Sequence, residues 1–317
     1  EQTMTTFGWM KKSACLGQAL FTCAMASAAV FMAFTALPNG SLAHSGAEPS
    51  GIKIVVIGAT ARTADELIPQ ALWRGHEVVA VARRPYRVRF AEHPRLTILE
   101  GDVYDQASIE AALSGEGEEW VISVYGPSVD PTIEVPETDL MSQGTTNIIN
   151  AMKKKGNTKL MVTGSMAAPR VAAKGYKADT PKPDDVTPQS GLWDYNLRGP
   201  YNDMLKMEEI TKKSGLQYII LRPGQLLIEP PRGGVRISVD GEPVPRQRVI
   251  MYADFAAWIL DQAESDAYIG KTASVYSDTP MSTIQGVDFA SAVKYLKARK
   301  AQVDADLAAD AERRKNQ

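Results

Sequence analysis

The run Gly58-Ala59-Thr60-Ala61-Arg62-Thr63-Ala64 is the part of the chain best suited to hold a pyrophosphate. A glycine at a strand end permits a tight turn, and the first amides of the helix that follows offer donors and a positive dipole end. Only the first glycine of the usual three is present. Ala61 and Ala64 stand in the other two positions, and Ala61 adds a methyl where backbone must approach phosphate. Arg83 and Arg84 follow the next apolar run, where a carboxylate would recognise the ribose of NAD. A guanidinium fork there pairs with phosphate oxygens, so the expected cofactor is NADP, as NADPH, rather than NAD. After the third run, Glu100-Gly101-Asp102-Val103 places Asp102 and Val103 where an adenine edge would lie.

Groups for proton transfer are scarce. A Tyr-x-x-x-Lys pair puts both side chains on one helix face, the lysine making the tyrosine a better acid. Here Tyr201 and Lys206 are five residues apart, which on an ideal helix turns them about 140° from each other. Tyr195 has Gly199 where its lysine would be. The histidines are His44, His76 and His93; His76 precedes the second strand, on the edge far from the glycine loop, and both His76 and His93 are expected at the surface. Cys15 and Cys23 are the only thiols, so cysteine nucleophiles, zinc–cysteine sites and disulfide frameworks are excluded from residue 24 onward. No metal site is expected. A flavin or quinone acceptor relaxes the need for a proton donor, since hydride can pass to a conjugated ring while water supplies the proton.

These residues need a scaffold. With 317 residues, 44% apolar and 23% charged, the chain can bury one large core or two modest ones. Lys plus Arg number 35 and Asp plus Glu 37, a net charge of −2, so nucleic acid is not an expected partner and any anion site must be local. The first residues are of another kind: Lys11 and Lys12, an apolar stretch over 14–37, then Ser41-Leu42-Ala43. This reads as a signal peptide over 1–43, giving an exported or periplasmic protein. The same stretch is about long enough to span a bilayer, so the rival reading is a membrane anchor. The chain opens on Glu1, with Met4 close behind; a misassigned start would leave the protein cytoplasmic. Residues 44–51 read as a linker.

From Ile52 the sequence alternates β-branched runs with helical stretches. Strands are expected over Ile52–Ile57, Glu77–Ala82, Leu96–Leu99, Trp120–Val124, Lys159–Thr163 and Tyr218–Leu221, and helices over Thr63–Arg74, Ser108–Leu113, Leu140–Lys155 and Tyr201–Lys213. Pro69 should kink its helix. This alternation predicts an α/β fold over 52–281: a doubly wound, mostly parallel Rossmann-like sheet with helices on both faces. A small C-terminal extension on the substrate side completes it. There Asp240-Gly241 predicts a hairpin joining Val235–Val239 to a strand from Val244, followed by a helix over Tyr252–Ala263 and a strand over Ala273–Tyr276. Residues 167–200 read as a loop too long for a connector, a substrate lid, and 282–317 as a charged helix.

The GATxRT loop (Gly58, Ala59, Thr60, Arg62, Thr63), Gly101-Asp102-Val103, the TTNIINAMKKKG helix (Thr145 to Gly156) and SGLQYIILRPG (Ser214 to Gly224) together resemble the atypical short-chain dehydrogenase/reductase superfamily. Within it they most resemble the NAD(P)H-binding group of biliverdin reductase B and flavin reductase. The resemblance covers roughly 52–280. It implies NADPH across the carboxyl edge of the sheet and hydride transfer to a small-molecule acceptor that is flat or carries a carbonyl. Residue by residue it implies that Gly58 to Thr63 cradle the pyrophosphate and that Arg83 and Arg84 take the 2′-phosphate. Asp102 and Val103 would flank adenine, while Tyr125 and Gly126 line ribose and nicotinamide. Gly164-Ser165 falls at the catalytic edge, where the Ser165 hydroxyl would meet carboxamide or substrate, and Pro223-Gly224 would approach the nicotinamide. Relatives carry histidine at the position of Gly224, so biliverdin-type activity is not expected. The catalytic candidates are Ser165, Tyr201 and Lys206. The alternatives to a reductase are a non-catalytic NAD(P)-binding or assembly protein and a nucleotide-sugar epimerase relative, the latter opposed by the missing Tyr-x-x-x-Lys pair.

Overall fold

Short β-branched runs become parallel strands because helices cover both of their faces. The computed structural model describes residues 51–88, 93–115, 119–127, 133–177, 180–183, 191–228, 231–242 and 249–278. The expected signal or anchor, the return strand from Val244 and the helix over 282–317 lie outside them. The strands are β1 (Lys53–Ile57), β2 (Glu77–Ala82), β3 (Leu96–Glu100), β4 (Glu119–Ser123), β5 (Lys159–Thr163), β6 (Gln217–Pro223), β7 (Gln225–Leu227), β8 (Val235–Val239), β9 (Val249–Met251) and β10 (Lys271–Ser277). The helices are α1 (Arg62–Trp73), α2 (Gln106–Ala112), α3 (Leu140–Lys155), α4 (Ala167–Ala173), α5 (Gly191–Asn196), α6 (Arg198–Lys212) and α7 (Tyr252–Ser265).

The main sheet is eight-stranded in the order β3-β2-β1-β4-β5-β6-β10-β8. Its neighbours pair in parallel except β8, which runs antiparallel to β10. β7 and β9 form a separate parallel pair. The chain leaves β1 in both directions, to β2 on one side and β4 on the other, so the strand order reverses there and loops diverge to leave room for a ligand.

Alternation along each strand divides the core. Ile54, Val56, Val78, Ala80, Trp120, Ile122 and Leu221 pack toward Leu67 and Ile68 of α1 and Phe255 and Ile259 of α7. Val55, Ile57, Val79, Val81, Leu160, Val162 and Ile220 pack toward Ile109 of α2, Ile148 and Met152 of α3, and Met207 of α6.

Two expectations are corrected, the plain loop over 167–200 and the surface placement of the histidines. The Asp240-Gly241 turn forms, with φ of 50° and 93° and a Glu242 N–H to Val239 O bond of 3.0 Å. β8 pairs antiparallel with β10, which extends the sheet beside β6; the strand expected from Val244 lies outside the described residues. Residues 167–200 are no plain loop: α4 and α5 lie within them and α6 begins at Arg198. α1 is one helix from Arg62 to Trp73 with Pro69 inside it. His76 does lie at the amino edge of the sheet, but it is buried at 4% exposure, since Glu264 of α7 reaches its Nε2 at 2.8 Å. His93 is half-buried, its Nδ1 accepting from Arg95 N–H at 3.2 Å.

Candidate functional site

The ends of β1, β2 and β3 and the residue after β4 come together on one edge. Gly58 takes φ +93°, and a Cβ there would sit 2.7 Å from both Cβ and N of Tyr125. Only glycine therefore lets β1 turn beside the residue following β4. Gly58 and Ala59 both donate to Val81 O at 3.0 Å, fixing the loop against β2. Ala61 has ordinary extended angles, φ −73° and ψ 155°, so the backbone itself does not require glycine at this position. α1 then begins with no side-chain cap. First-turn N–H groups have no acceptor within a helix, and such an end attracts an anion. This edge fits a dinucleotide: a glycine-permitted turn, an uncapped helix start and an exposed Arg83 just past β2.

The other residues assigned to this half are spread over wall and core. Thr60 is exposed while Ala59 and Thr63 are buried. The Arg62 side chain turns to α7 and hydrogen-bonds the Tyr252 hydroxyl, whose pKa burial raises and this arginine partly restores. Arg84 is half-buried at the start of a single 3-10 turn, Pro85–Arg87. Asp102 is half-buried and accepts Tyr104 N–H at 3.0 Å. Val103 is buried at 8% exposure with its methyl against Gly144 of α3. Tyr125 also turns to α3, its hydroxyl donating toward Leu140 O and Met141 O at 3.4 Å, and burial raises its pKa. Its backbone thus borders the edge while its hydroxyl serves α3. Gly126 is exposed, with open space at its α-carbon.

Beyond β5 and β6 the edge is made of side chains. The Ser165 and Tyr201 hydroxyls lie close enough to interact. The Tyr201 phenol is pushed above its ordinary pKa by burial first and by the Asp194 carboxylate second, against the pull of Ser165 and Arg170. It is a donor at neutral pH. Asp194, 7% exposed, is gripped by both outer nitrogens of Arg170 and by Lys174 Nζ at 2.7 Å, tying α5 to α4. Arg198 lies 4.1 Å above the Tyr195 ring and pairs with Glu134 at 2.5 Å. Pro223 is buried, and Gly224 donates its N–H to Val275 O at 2.9 Å. Gly164 is buried against Glu208.

Lys206 is not part of this group. It is exposed and lines a groove of about 690 Å³ with Glu137, Asn202 and Glu209 on another face of α6, as its five-residue offset from Tyr201 requires. The residue four beyond Tyr201 is Leu205. The sequence reading missed three buried acids and their partners. Asp203, 1% exposed, accepts Met141 N–H at 2.7 Å and Ser142 N–H at 3.2 Å, capping α3 from α6. Glu208 pairs with Arg222, and Asp194 with α4. An acidic residue on an otherwise core-facing helix stripe was the available signal for Asp203 and Glu208. Among the described residues no His, Cys, Asp and Glu cluster could hold a metal ion.

A family model described as NAD(P)H-binding matches residues 58–266. The chain belongs to the NAD(P)H-binding family. The match includes the glycine turn, the α1 start, Ser165 and Tyr201, and it agrees with the resemblance to atypical short-chain dehydrogenase/reductases. An uncharacterized chloroplastic protein of Arabidopsis thaliana is 31% identical over 186 residues, 58% of this chain and 62% of that protein. The chain thus spans under two thirds of that relative. Among solved structures, an NADP complex of a short-chain dehydrogenase/reductase from Veillonella parvula has a TM-score of 0.53 at 15% identity, covering 71% of this chain and 94% of that one. An anaerobillin reductase from Escherichia coli O157:H7 has a TM-score of 0.54 at 18% identity, covering 71% and 97%. At such identities these two show the fold alone, a Rossmann-like one.

Proposed function

We propose that this protein is an NADPH-dependent reductase whose acceptor is a small planar molecule such as a flavin or quinone. The observation that carries the reading is the hydroxyl pair Ser165–Tyr201 at the end of β5, on the same sheet edge as the glycine turn. Gly58 and the start of α1 would hold the pyrophosphate, and Arg83 with Arg84 the 2′-phosphate; the arginines favour NADP over NAD. The bound cofactor supplies hydride. Ser165 and Tyr201 orient the acceptor's oxygen or ring nitrogen, and Tyr201, protonated at neutral pH, can donate a hydrogen bond or a proton to it. The solved anaerobillin reductase gives one instance of a reductase on this fold.

Fluorescence titration tests the first half: NADPH should bind below about 100 μM, within the usual KM range, and more tightly than NADH. Loss of reduced-nicotinamide absorbance on adding riboflavin 5′-phosphate or menadione tests the second. Failure to bind NADPH would sink the proposal.

A second reading, a non-catalytic NAD(P)-binding or assembly protein, is favoured by Ala61 in the phosphate loop and by the proposed export or membrane association through residues 14–37, since soluble NADPH is not expected outside the cytoplasm. It holds if cofactor binds and no acceptor oxidises it. Among the described residues no helix is long and apolar enough to cross a membrane, and 14–37 lie outside them. An epimerase-like activity is disfavoured by Leu205, which stands where the lysine partner of Tyr201 would be.

A further inference from the structure

The contacts around Ser165 form a closed ring. Pairing between β5 and β6 continues past Thr163: Gly164 N–H donates to Leu221 O at 2.7 Å and Met166 N–H to Pro223 O at 3.2 Å. Ser165 therefore sits between two backbone bonds that bracket Arg222. Side chains alternate along a strand, and Leu221 belongs to the core under α1 and α7 while Ile220 belongs to that under α3 and α6. Arg222 consequently emerges on the α6 side. There its Nε donates to Glu208 Oε1 at 2.8 Å and its outer nitrogen to Oε2. Glu208 is 1% exposed and the Arg222 side chain 15%.

Glu208 follows Tyr201 by seven residues, which on an ideal helix returns it to within about 20° of the same face. One face of α6 thus carries both the carboxylate that holds β6 and the phenol that meets Ser165. Gly164 completes the fit. A Cβ on it would lie 2.8 Å from Glu208 Oε1, and its φ is not in the left-handed region. The glycine before Ser165 is there to make space for the carboxylate, not to permit a turn. A buried ion pair adds little net stability over a well-packed apolar pair of similar volume, but a two-point fork restricts geometry.

We propose that Glu208 and Arg222 are positioning residues whose ion pair fixes α6 on the ends of β5 and β6, so that the Tyr201 hydroxyl is held beside Ser165. This rests on the reading of Ser165 and Tyr201 as the substrate-facing pair. The test compares the wild type with Glu208→Gln, which keeps the shape and loses the charge, Arg222→Lys, which keeps the charge and loses the fork, and Gly164→Ala, which wedges the carboxylate. The ring-carbon resonance of labelled Tyr201, assigned with Tyr201→Phe, reports the surroundings of its hydroxyl independently of turnover. In folded variants that resonance should move, and kcat for menadione should fall about 10- to 100-fold, the scale of a misplacement near 1 Å, with NADPH Kd unchanged. Arg222→Lys, which preserves charge, should lose less than Glu208→Gln. An unmoved resonance with unchanged kcat in the folded variants overturns the proposal, and Gly164→Ala decides it should the other two not fold. A wild type that reduces no acceptor removes the reductase reading instead, while the resonance still judges the positioning role.

Discussion

At the ends of β1 and β2 the edge is walled by backbone. Gly58 lies against Tyr125, two amides share one carbonyl, and α1 opens without a cap. At the ends of β5 and β6 it is walled by side chains brought from afar: Tyr201 on Ser165, Glu208 on Arg222, Asp194 on Arg170 and Lys174. Backbone recognition suits a constant partner such as a pyrophosphate, which every dinucleotide carries. Side-chain recognition can change one residue at a time, and under the proposed function it is the half that would set which acceptor is used.

Substitutions can separate the halves. Tyr201→Phe should lower kcat by about 100-fold or more with an acceptor whose oxygen takes the proton, the usual scale for a general acid, while NADPH Kd stays put in a fluorescence titration; equal losses in both would erase the division. The pH dependence has a definite sign. Removing the neighbouring negative charge with Asp194→Asn should lower the raised Tyr201 pKa toward 10.0, seen as tyrosinate absorbance appearing at lower pH. Gly58→Ala is the reciprocal change. Its forced left-handed backbone and contact with Tyr125 should cost about 1–3 kcal/mol, read as a 10- to 100-fold rise in NADPH Kd or a matching loss in thermal stability. Arg83→Ala should weaken NADPH by about 10-fold, as for a lost charge-assisted hydrogen bond, and leave NADH almost unchanged. Lys206→Ala should alter neither constant, because Lys206 is exposed on another face of α6; a measurable loss of turnover would restore it to the site.

The same division explains what could be read from the sequence. β1, β2 and β5 and the helix after β1 were legible because period-two apolar runs, glycine turns and helix stops are local signals. Gly58, Arg83 and Asp102 could be placed because their positions follow from strand ends. The Asp240-Gly241 turn was legible for the same reason, but the pairing of β8 with β10 was not, since sheet pairing is decided by the whole edge. Burial of His76 depends on Glu264, 188 residues away. The Asp203 cap spans 62 positions and the Asp194 tie 24. Each needs two distant residues to be known as neighbours first. Tyr125 shows the limit within a single residue: its place after β4 was readable, whereas the direction of its hydroxyl depends on Gly144 leaving space.

The Asp203 cap has a consequence for how the chain folds and how it can be cut. α3 opens at Asp139, which makes no side-chain cap of its own, and the amides of Met141 and Ser142 are satisfied by an acid on a helix 62 and 61 positions later. A nascent or truncated chain lacking α6 would leave those two donors at the edge of an apolar core with no protein acceptor, and the first turn of α3 would fray. The stretch from β4 through α3 is therefore not a self-sufficient module: its helix is finished by α6, and β4 through α6 should fold and melt as one cooperative unit.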